Sequence, residues 1–287
     1  LRPRVTAITS ISLDHTEVLG DSLAQIAGEK AAIVKPGVPV VCAPQPPEAL
    51  EVVRRTAADH GSQLTLVGED VTWQALQADL TGQRLAVRSG RGARELWLPL
   101  LGPVQRENAA TAVALVEALA DQGVAIPPDA VRRGLERVVW PGRMEVLSRR
   151  PLMVADGAHN PYSMGRLVEA LREALVFDRV VAVFGAGRSK DLGRMIGELT
   201  RLERAQVVAT RSRHPKAAAP GEIARRAAAH GIEALEAEDT AAALARAGEL
   251  AGPDDLILAT GSLFVAAEAR EAVLGIEPEI YAGVALV

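Results

Sequence analysis

Leu152-Met-Val-Ala-Asp-Gly-Ala-His-Asn-Pro161 is the stretch that decides the fold. Its first four residues are a short apolar run of the kind that forms a buried strand. The next six put an aspartate, a histidine and an asparagine on a turn closed by proline. Outward from it the same unit repeats. Strand-like runs at Leu152 to Ala155, Val180 to Phe184, Gln206 to Thr210 and Leu256 to Thr260 are separated by helical segments, which predicts a doubly wound, mostly parallel α/β sheet. Ligands of such sheets sit beyond the carboxyl ends of the strands, and Asp156, Gly185, Arg211 and Gly261 all fall there. One edge of this domain is therefore the predicted binding face.

Upstream the pattern is another α/β arrangement with an antiparallel appendage. Val5 to Ile11 is rich in β-branched residues and ends at Ser12-Leu-Asp-His15, as a buried strand feeding a site would. Ser22, with Gln25 three residues on, has the spacing of a capping box, and Lys35-Pro-Gly37 ends the helix it opens. A strand at Val38 to Cys42, a helix from Pro46 to His60 stopped by Gly61, and a strand at Gln63 to Val67 follow. Val71 to Leu98 alternates in short runs around Thr81-Gly82 and Ser89-Gly90, which predicts antiparallel hairpins. Helical spacing returns at Gln105 to Asp121 and Pro128 to Val138. Trp140-Pro-Gly-Arg143 is the linker candidate, dividing the chain into domains at 1–142 and 143–287.

Composition narrows the function classes. A length of 287 residues suits two domains, and 48% hydrophobic content supplies a core for both. A net charge of -4 argues against a general nucleic-acid or membrane-surface binder, so small-molecule partners are expected. No 18-residue apolar run is present to span a bilayer, the opening has no signal-peptide core, and the expected compartment is the cytoplasm. A monomer is the expected state. The lone cysteine, Cys42, cannot form an internal disulfide and reads as a small buried residue. Phe184-Gly-Ala-Gly-Arg-Ser-Lys-Asp191 lacks the third glycine of a dinucleotide fingerprint, which argues against NAD. His60-Gly61 and His230-Gly231 read as helix ends. Arg211-Ser-Arg-His-Pro215 fits an anion-binding loop and an exposed loop equally.

Several blocks together carry a resemblance. Ile8-Thr-Ser-Ile-Ser-Leu-Asp-His15 with Ile26-Ala-Gly-Glu-Lys30, Gln105-Arg-Glu-Asn-Ala109, Pro141-Gly-Arg-Met-Glu145, Asp156-Gly-Ala-His-Asn-Pro161 and Thr260-Gly-Ser-Leu-Phe264 recur in the order found in one family. The chain resembles the folylpolyglutamate synthase/dihydrofolate synthase family of the Mur ligase superfamily. The resemblance implies the remainder of a P-loop-type central domain followed by a Rossmann-like C-terminal domain. It also implies an ATP-dependent acid–amino-acid ligase, in which the carboxylate of a folate or dihydropteroate becomes an acyl phosphate that L-glutamate attacks. By the same resemblance His15 is a Mg²⁺ ligand and Lys30 is carried as an N6-carbamate, both a metal ligand and a catalytic group. Carbamate formation needs the neutral amine, which burial or cationic neighbours would favour. Imidazole is an unusual partner for so hard an ion, so oxygen donors should complete the shell. Asn108, Arg143 and Asp156 are implied ATP contacts, with Arg143 suited to phosphate by its planar fork. His159 is placed there as a charge or proton partner during transfer, and Lys190-Asp191 fits a family loop facing the glutamate. ATP is expected between the two domains, with domain closure excluding water from the acyl phosphate.

Departures from the family pattern are also present. The sequence has no G-x-x-x-x-G-K-[ST] phosphate loop, which in the family precedes the part matching Leu1 to Val5. The chain therefore reads as an amino-terminally truncated or cropped ligase, expected to bind ATP poorly by itself. Ser12 and Ala32 stand where glycine is common, and Val104 where histidine is usual. A Mur-type ligase with another acyl substrate and a non-catalytic binding fragment are the alternative readings.

Overall fold

The computed structural model describes residues 2–13 and 20–278. The chain divides into two compact units, Leu1–Pro99 with Pro103–Val139, and Leu100–Gly102 with Trp140–Val287. The boundary thus falls three residues before the expected 142/143 division, and Leu100–Gly102, assigned from sequence to the first domain, belongs with the second.

In the first unit, β1 (Thr6–Ile8), β2 (Val40–Cys42) and β3 (Leu64–Leu66) form a parallel sheet in that order. Helix α1 (Leu23–Ala31) starts at the expected capping box. The Ser22 hydroxyl accepts from Gln25 N at 3.2 Å, and Gln25 Oε1 accepts from Ser22 N at 3.1 Å. It ends a turn before Lys35-Pro-Gly37. Helix α2 (Pro47–Asp59) ends where the His60 ring meets the Thr56 carbonyl at 2.9 Å, and Gly61 takes φ +58. One face of this sheet closes over Ile8, Val40, Cys42, Ile26, Ala49 and Val53, all buried. The strands β4 (Thr72–Asp79), β5 (Gly82–Ser89) and β6 (Gly92–Leu98) make the predicted antiparallel meander. Helix α3 (Pro103–Asp121) packs on β2, β4 and β5, and α4 (Ala130–Glu136) on β6.

The second unit is a six-stranded sheet. Its strands are β7 (Glu145–Arg149), β8 (Leu152–Ala155), β9 (Val180–Phe184), β10 (Gln206–Ala209), β11 (Glu233–Glu236) and β12 (Leu256–Thr260), in the order β11-β10-β9-β12-β8-β7. All pairs are parallel except β7 with β8. The central strands β9 and β12 are buried along their whole length, which is why Val180-Val-Ala-Val-Phe184 and Leu256-Ile-Leu-Ala-Thr260 read as continuous apolar runs. The helices are α5 (Pro161–Ala174), α6 (Leu192–Leu199), α7 (Pro220–Ala229), α8 (Thr240–Leu250) and α9 (Leu263–Leu274). On one face α8 and α9 bury Ala243, Leu244, Val265 and Ala269 against Ala155, Val183, Val208 and Ile257. Met164 of α5 meets Thr260 on the other face, where α5, α6 and α7 contact one another in turn. The connections leaving β8 and β12 therefore go to opposite faces. Their carboxyl ends form the switch point at which doubly wound sheets bind ligands.

Candidate functional site

The switch point is built on Asp156, the first residue after β8. Its backbone N–H donates to the Ala259 carbonyl at 2.9 Å, continuing the β8–β12 ladder by one bond. Its side chain reaches back to the turn preceding β7. Oδ2 accepts from Met144 N at 2.9 Å, and Oδ1 accepts from Ala158 N at 2.8 Å. A second clasp joins the same segments, Gly157 N donating to the Gly142 carbonyl at 2.9 Å. Met144 is held at φ +44, a left-handed conformation rare for a side-chain-bearing residue. That turn aims Arg143, whose Nη1 donates to Gly142 O at 3.4 Å while the side chain stays half-buried. Burial pushes the Asp156 carboxyl above the usual carboxylate range; the N–H groups of Met144 and Ala158, with Arg143 and His159 nearby, pull the other way without cancelling it.

The rest of the loop is fixed by its own hydrogen bonds. Asn160 caps α5, its Oδ1 accepting from Ser163 N at 2.8 Å, and Pro161 takes the first helical position. Ser163 Oγ in turn accepts from the N–H groups of His159 at 3.0 Å and Asn160 at 3.1 Å. The His159 ring is oriented by Nδ1, 2.9 Å from the Gly157 carbonyl. Gly157 leaves room for two neighbouring side chains. A Cβ there would lie 2.3 Å from Leu263 Cδ2 and 2.7 Å from Arg143 Nη1, so both side chains rest on its bare Cα. Ser163 was not singled out in the sequence, although Asn160-Pro-Tyr-Ser163 has the spacing of a cap. Ser262 caps α9, its Oγ accepting from Val265 N at 3.1 Å.

The predicted site residues divide as follows. Arg143, Asp156 and His159 come together in the second unit. Lys30 and Asn108 lie in the first unit, and His15 lies outside the described residues. Lys30 is exposed on the last turn of α1, so the burial proposed to favour its neutral amine is not found. Asn108 is exposed on the second turn of α3, its Nδ2 donating to Gln105 Oε1 at 3.2 Å. Its neighbour Glu107 accepts from Ser10 Oγ at 3.3 Å, tying the loop after β1 to this part of α3. Gln45 holds that loop too, accepting from Ile11 N and donating to Thr9 O, both at 2.9 Å. Among the described residues no group of three or more His, Cys, Asp or Glu could hold a metal. Asp191 caps α6 through Arg194 N at 3.1 Å, beside Lys190 in the loop after β9. Among the described residues no helix is long and apolar enough to cross a membrane.

Comparison with known proteins gives the family of this fold. Residues 142–263 match the model of the Mur ligase, glutamate ligase domain, which contains the whole Arg143–Asp156–His159 site. The folylpolyglutamate synthase of Lacticaseibacillus casei is 32% identical over 280 residues, covering 96% of this chain and 63% of its own length. The dihydrofolate synthase/folylpolyglutamate synthase of Bacillus subtilis is 34% identical over 201 residues, covering 69% of this chain and 47% of its own. A Mycobacterium tuberculosis folylpolyglutamate synthase complexed with ADP superposes with a TM-score of 0.85 at 30% identity, over 96% of this chain and 64% of that one. An Escherichia coli structure in complex with DHPP and ADP gives a TM-score of 0.82 at 26% identity. Fold and site define a Mur-type ligase architecture. The chain spans less than two thirds of the length of each of these relatives. It belongs to the folylpolyglutamate synthase/dihydrofolate synthase family of the Mur ligase superfamily.

Proposed function

We propose that the protein carrying this chain is an ATP-dependent ligase joining L-glutamate to the carboxylate of a folate or dihydropteroate. The observation that carries the reading is the Asp156 clasp, which spends a buried carboxylate on two backbone N–H groups and so fixes where Arg143 points. Transfer of a phosphoryl group to a carboxylate crowds anions into one place. A pre-aimed guanidinium is worth most there, because it needs no reorganisation as charge develops. Arg143 binds phosphate oxygens, and Asp156 acts through it as a positioning residue. In the reaction the acceptor carboxylate takes the γ-phosphoryl group and ADP leaves. The glutamate amine then attacks the acyl carbon, phosphate departs, and the amine gives up a proton. His159, its ring held by the Gly157 carbonyl, is the candidate to accept or share that proton.

Asn108 is assigned to the nucleotide, and His15 with a carbamylated Lys30 to Mg²⁺. When bound, that ion would neutralise the transferring phosphoryl oxygens. Relatives complexed with ADP, and with DHPP and ADP, support the choice of nucleotide and acceptor.

The test measures phosphate release by the complete protein with ATP, Mg²⁺ and L-glutamate. Dihydropteroate, tetrahydrofolate and a UDP-muramoyl acceptor are each offered in turn. Turnover with a pteridine is expected; silence with both pteridines removes the folate reading, and turnover with the muramoyl substrate replaces it. Arg143→Ala is expected to raise the ATP requirement while leaving the far-UV spectrum and unfolding midpoint near wild type, and unchanged ATP kinetics would refute its role. Mass spectrometry of gently handled protein in near-physiological bicarbonate should find an added carboxyl on Lys30. A bare amine there counts against the carbamate.

A further inference from the structure

Arg143 stands between two residues in the left-handed region, Gly142 at φ +67 and Met144 at φ +44. A side-chain-bearing residue keeps such a conformation only where its surroundings over-determine it. Asp156 holds the Met144 end of this turn through the Met144 N–H. The Gly142 end is held by a second carboxylate. Glu145 opens β7 directly opposite Ala155, the last residue of β8, and its Oε2 accepts from Gly142 N at 2.8 Å. The two carboxylates therefore hold the turn on either side of Arg143.

Glu145 is itself held by α9. The same Oε2 lies 2.6 Å from Nε of Arg270, and both side chains are mostly buried. The pairing is one of charge and not of direction, because that buried Nε has no hydrogen-bond partner among the described residues. Partly buried charges attract each other with less screening than charges on an open surface. Arg270 also belongs to a continuous stripe. Leu263, Ala266 and Arg270 follow one another at spacings of three and four, which puts them on one face of α9. Leu263 rests on Gly157, Ala266 lies where a Cβ on Gly142 would come within 3.6 Å of its own, and Arg270 reaches Glu145. The Arg143 turn is thus bedded on α9 along two turns of the helix.

We propose that Glu145 and Arg270 are positioning residues for Arg143. The Arg270 charge keeps the Glu145 carboxylate on the Gly142 N–H, and that bond keeps the guanidinium of Arg143 aimed at phosphate. The inference rests on the reading of Arg143 as a phosphate ligand. A pair that served only to stabilise the fold would change the unfolding midpoint and leave the nucleotide affinity of the folded protein alone.

The test measures the ADP affinity of the complete protein by calorimetric titration, well below its unfolding midpoint. Arg270→Met keeps most of the stem and loses the charge, and is expected to weaken ADP binding about tenfold. Arg270→Lys should recover most of that loss, since a charge without a directed hydrogen bond is all it has to supply. Glu145→Gln keeps an acceptor for Gly142 N but no longer attracts Arg270. It should weaken binding about threefold, and it carries the comparison if Arg270→Met does not fold. In an Arg143→Ala background neither change should weaken binding further, because the group being positioned is gone. Wild-type ADP affinity in Arg270→Met and Glu145→Gln, with weak binding in Arg143→Ala, overturns the proposal and leaves the phosphate reading standing. Equal losses in Arg270→Lys and Arg270→Met, or losses that add in the Arg143→Ala background, also overturn it. Wild-type affinity in Arg143→Ala would remove the phosphate reading and this inference together.

Discussion

At Asp156 burial and hydrogen bonding pull in opposite directions, and burial wins. A carboxyl whose folded value is raised favours the folded state most below its unfolded value, near 4 for aspartate. That contribution is lost as pH climbs through the raised value. Thermal midpoints of wild type and Asp156→Asn, compared across this range, should show wild type losing ground to the variant as pH rises above about 4. A constant difference would mean that Asp156 does not titrate out of line. Gly157 belongs to the same scale. Gly157→Ala would set a methyl against the far ends of Leu263 and Arg143, which are flexible enough to move, so the stability cost should be modest, about 1 kcal/mol. Nucleotide affinity of the complete protein should fall much more than that, because the Arg143 fork is displaced; equal nucleotide binding in the two proteins would separate Gly157 from the site.

Between elements, the loops after β9 and β12 touch backbone to backbone. Gly261 has φ +97, and a Cβ on it would lie 2.8 Å from the Gly185 carbonyl oxygen. Neither the backbone conformation nor the contact can give, so Gly261→Ala should cost about 2–3 kcal/mol in urea unfolding, more than Gly157→Ala. The reverse ranking would mean that the two loops separate easily. A second coupling joins α8, α9 and the loop after β10 through Thr240 and Glu268. Thr240→Val removes a donor from a buried carboxylate while keeping the shape of the side chain. It should lower stability by about 1–3 kcal/mol, and no measurable change would show that the carboxylate finds another donor.

On the scale of the whole molecule, the first unit has two three-stranded sheets and the second one six-stranded sheet, each unit with its own core, and one short segment crosses the order of the chain. Leu100–Gly102 precedes α3 of the first unit but belongs to the second. Leu101 is buried, and Gly102 turns at φ +91 where a Cβ would meet Ala170 and Met144. Leu101→Ala should therefore destabilise the second unit by about 2–5 kcal/mol. Hydrogen exchange should report faster opening of β9 and β12 amides with β4–β5 amides unchanged, and the opposite pattern would place this segment with the first unit.

Much of this was legible in the residue order because its physics is local. Capping boxes, glycines past helix ends, hairpin turns and the doubly apolar runs of β9 and β12 are decided within a few residues. The aspartate–histidine–asparagine loop could be found because it directly follows such a run. The edge strands were not legible: Glu233-Ala-Leu-Glu236 is half charged, as an edge facing water can be, and β7 is defined by its pairing with β8. No local pattern could place β12 between β8 and β9, bring Met144 back onto Asp156, or tie Glu268 of α9 to the loop after β10. Sequence periodicity reports which face of an element avoids water, whereas strand order and the meeting of distant loops depend on how those faces are covered together. The chemistry of the site was therefore readable from residue types, and its arrangement was decided only when the two helical layers closed over the sheet.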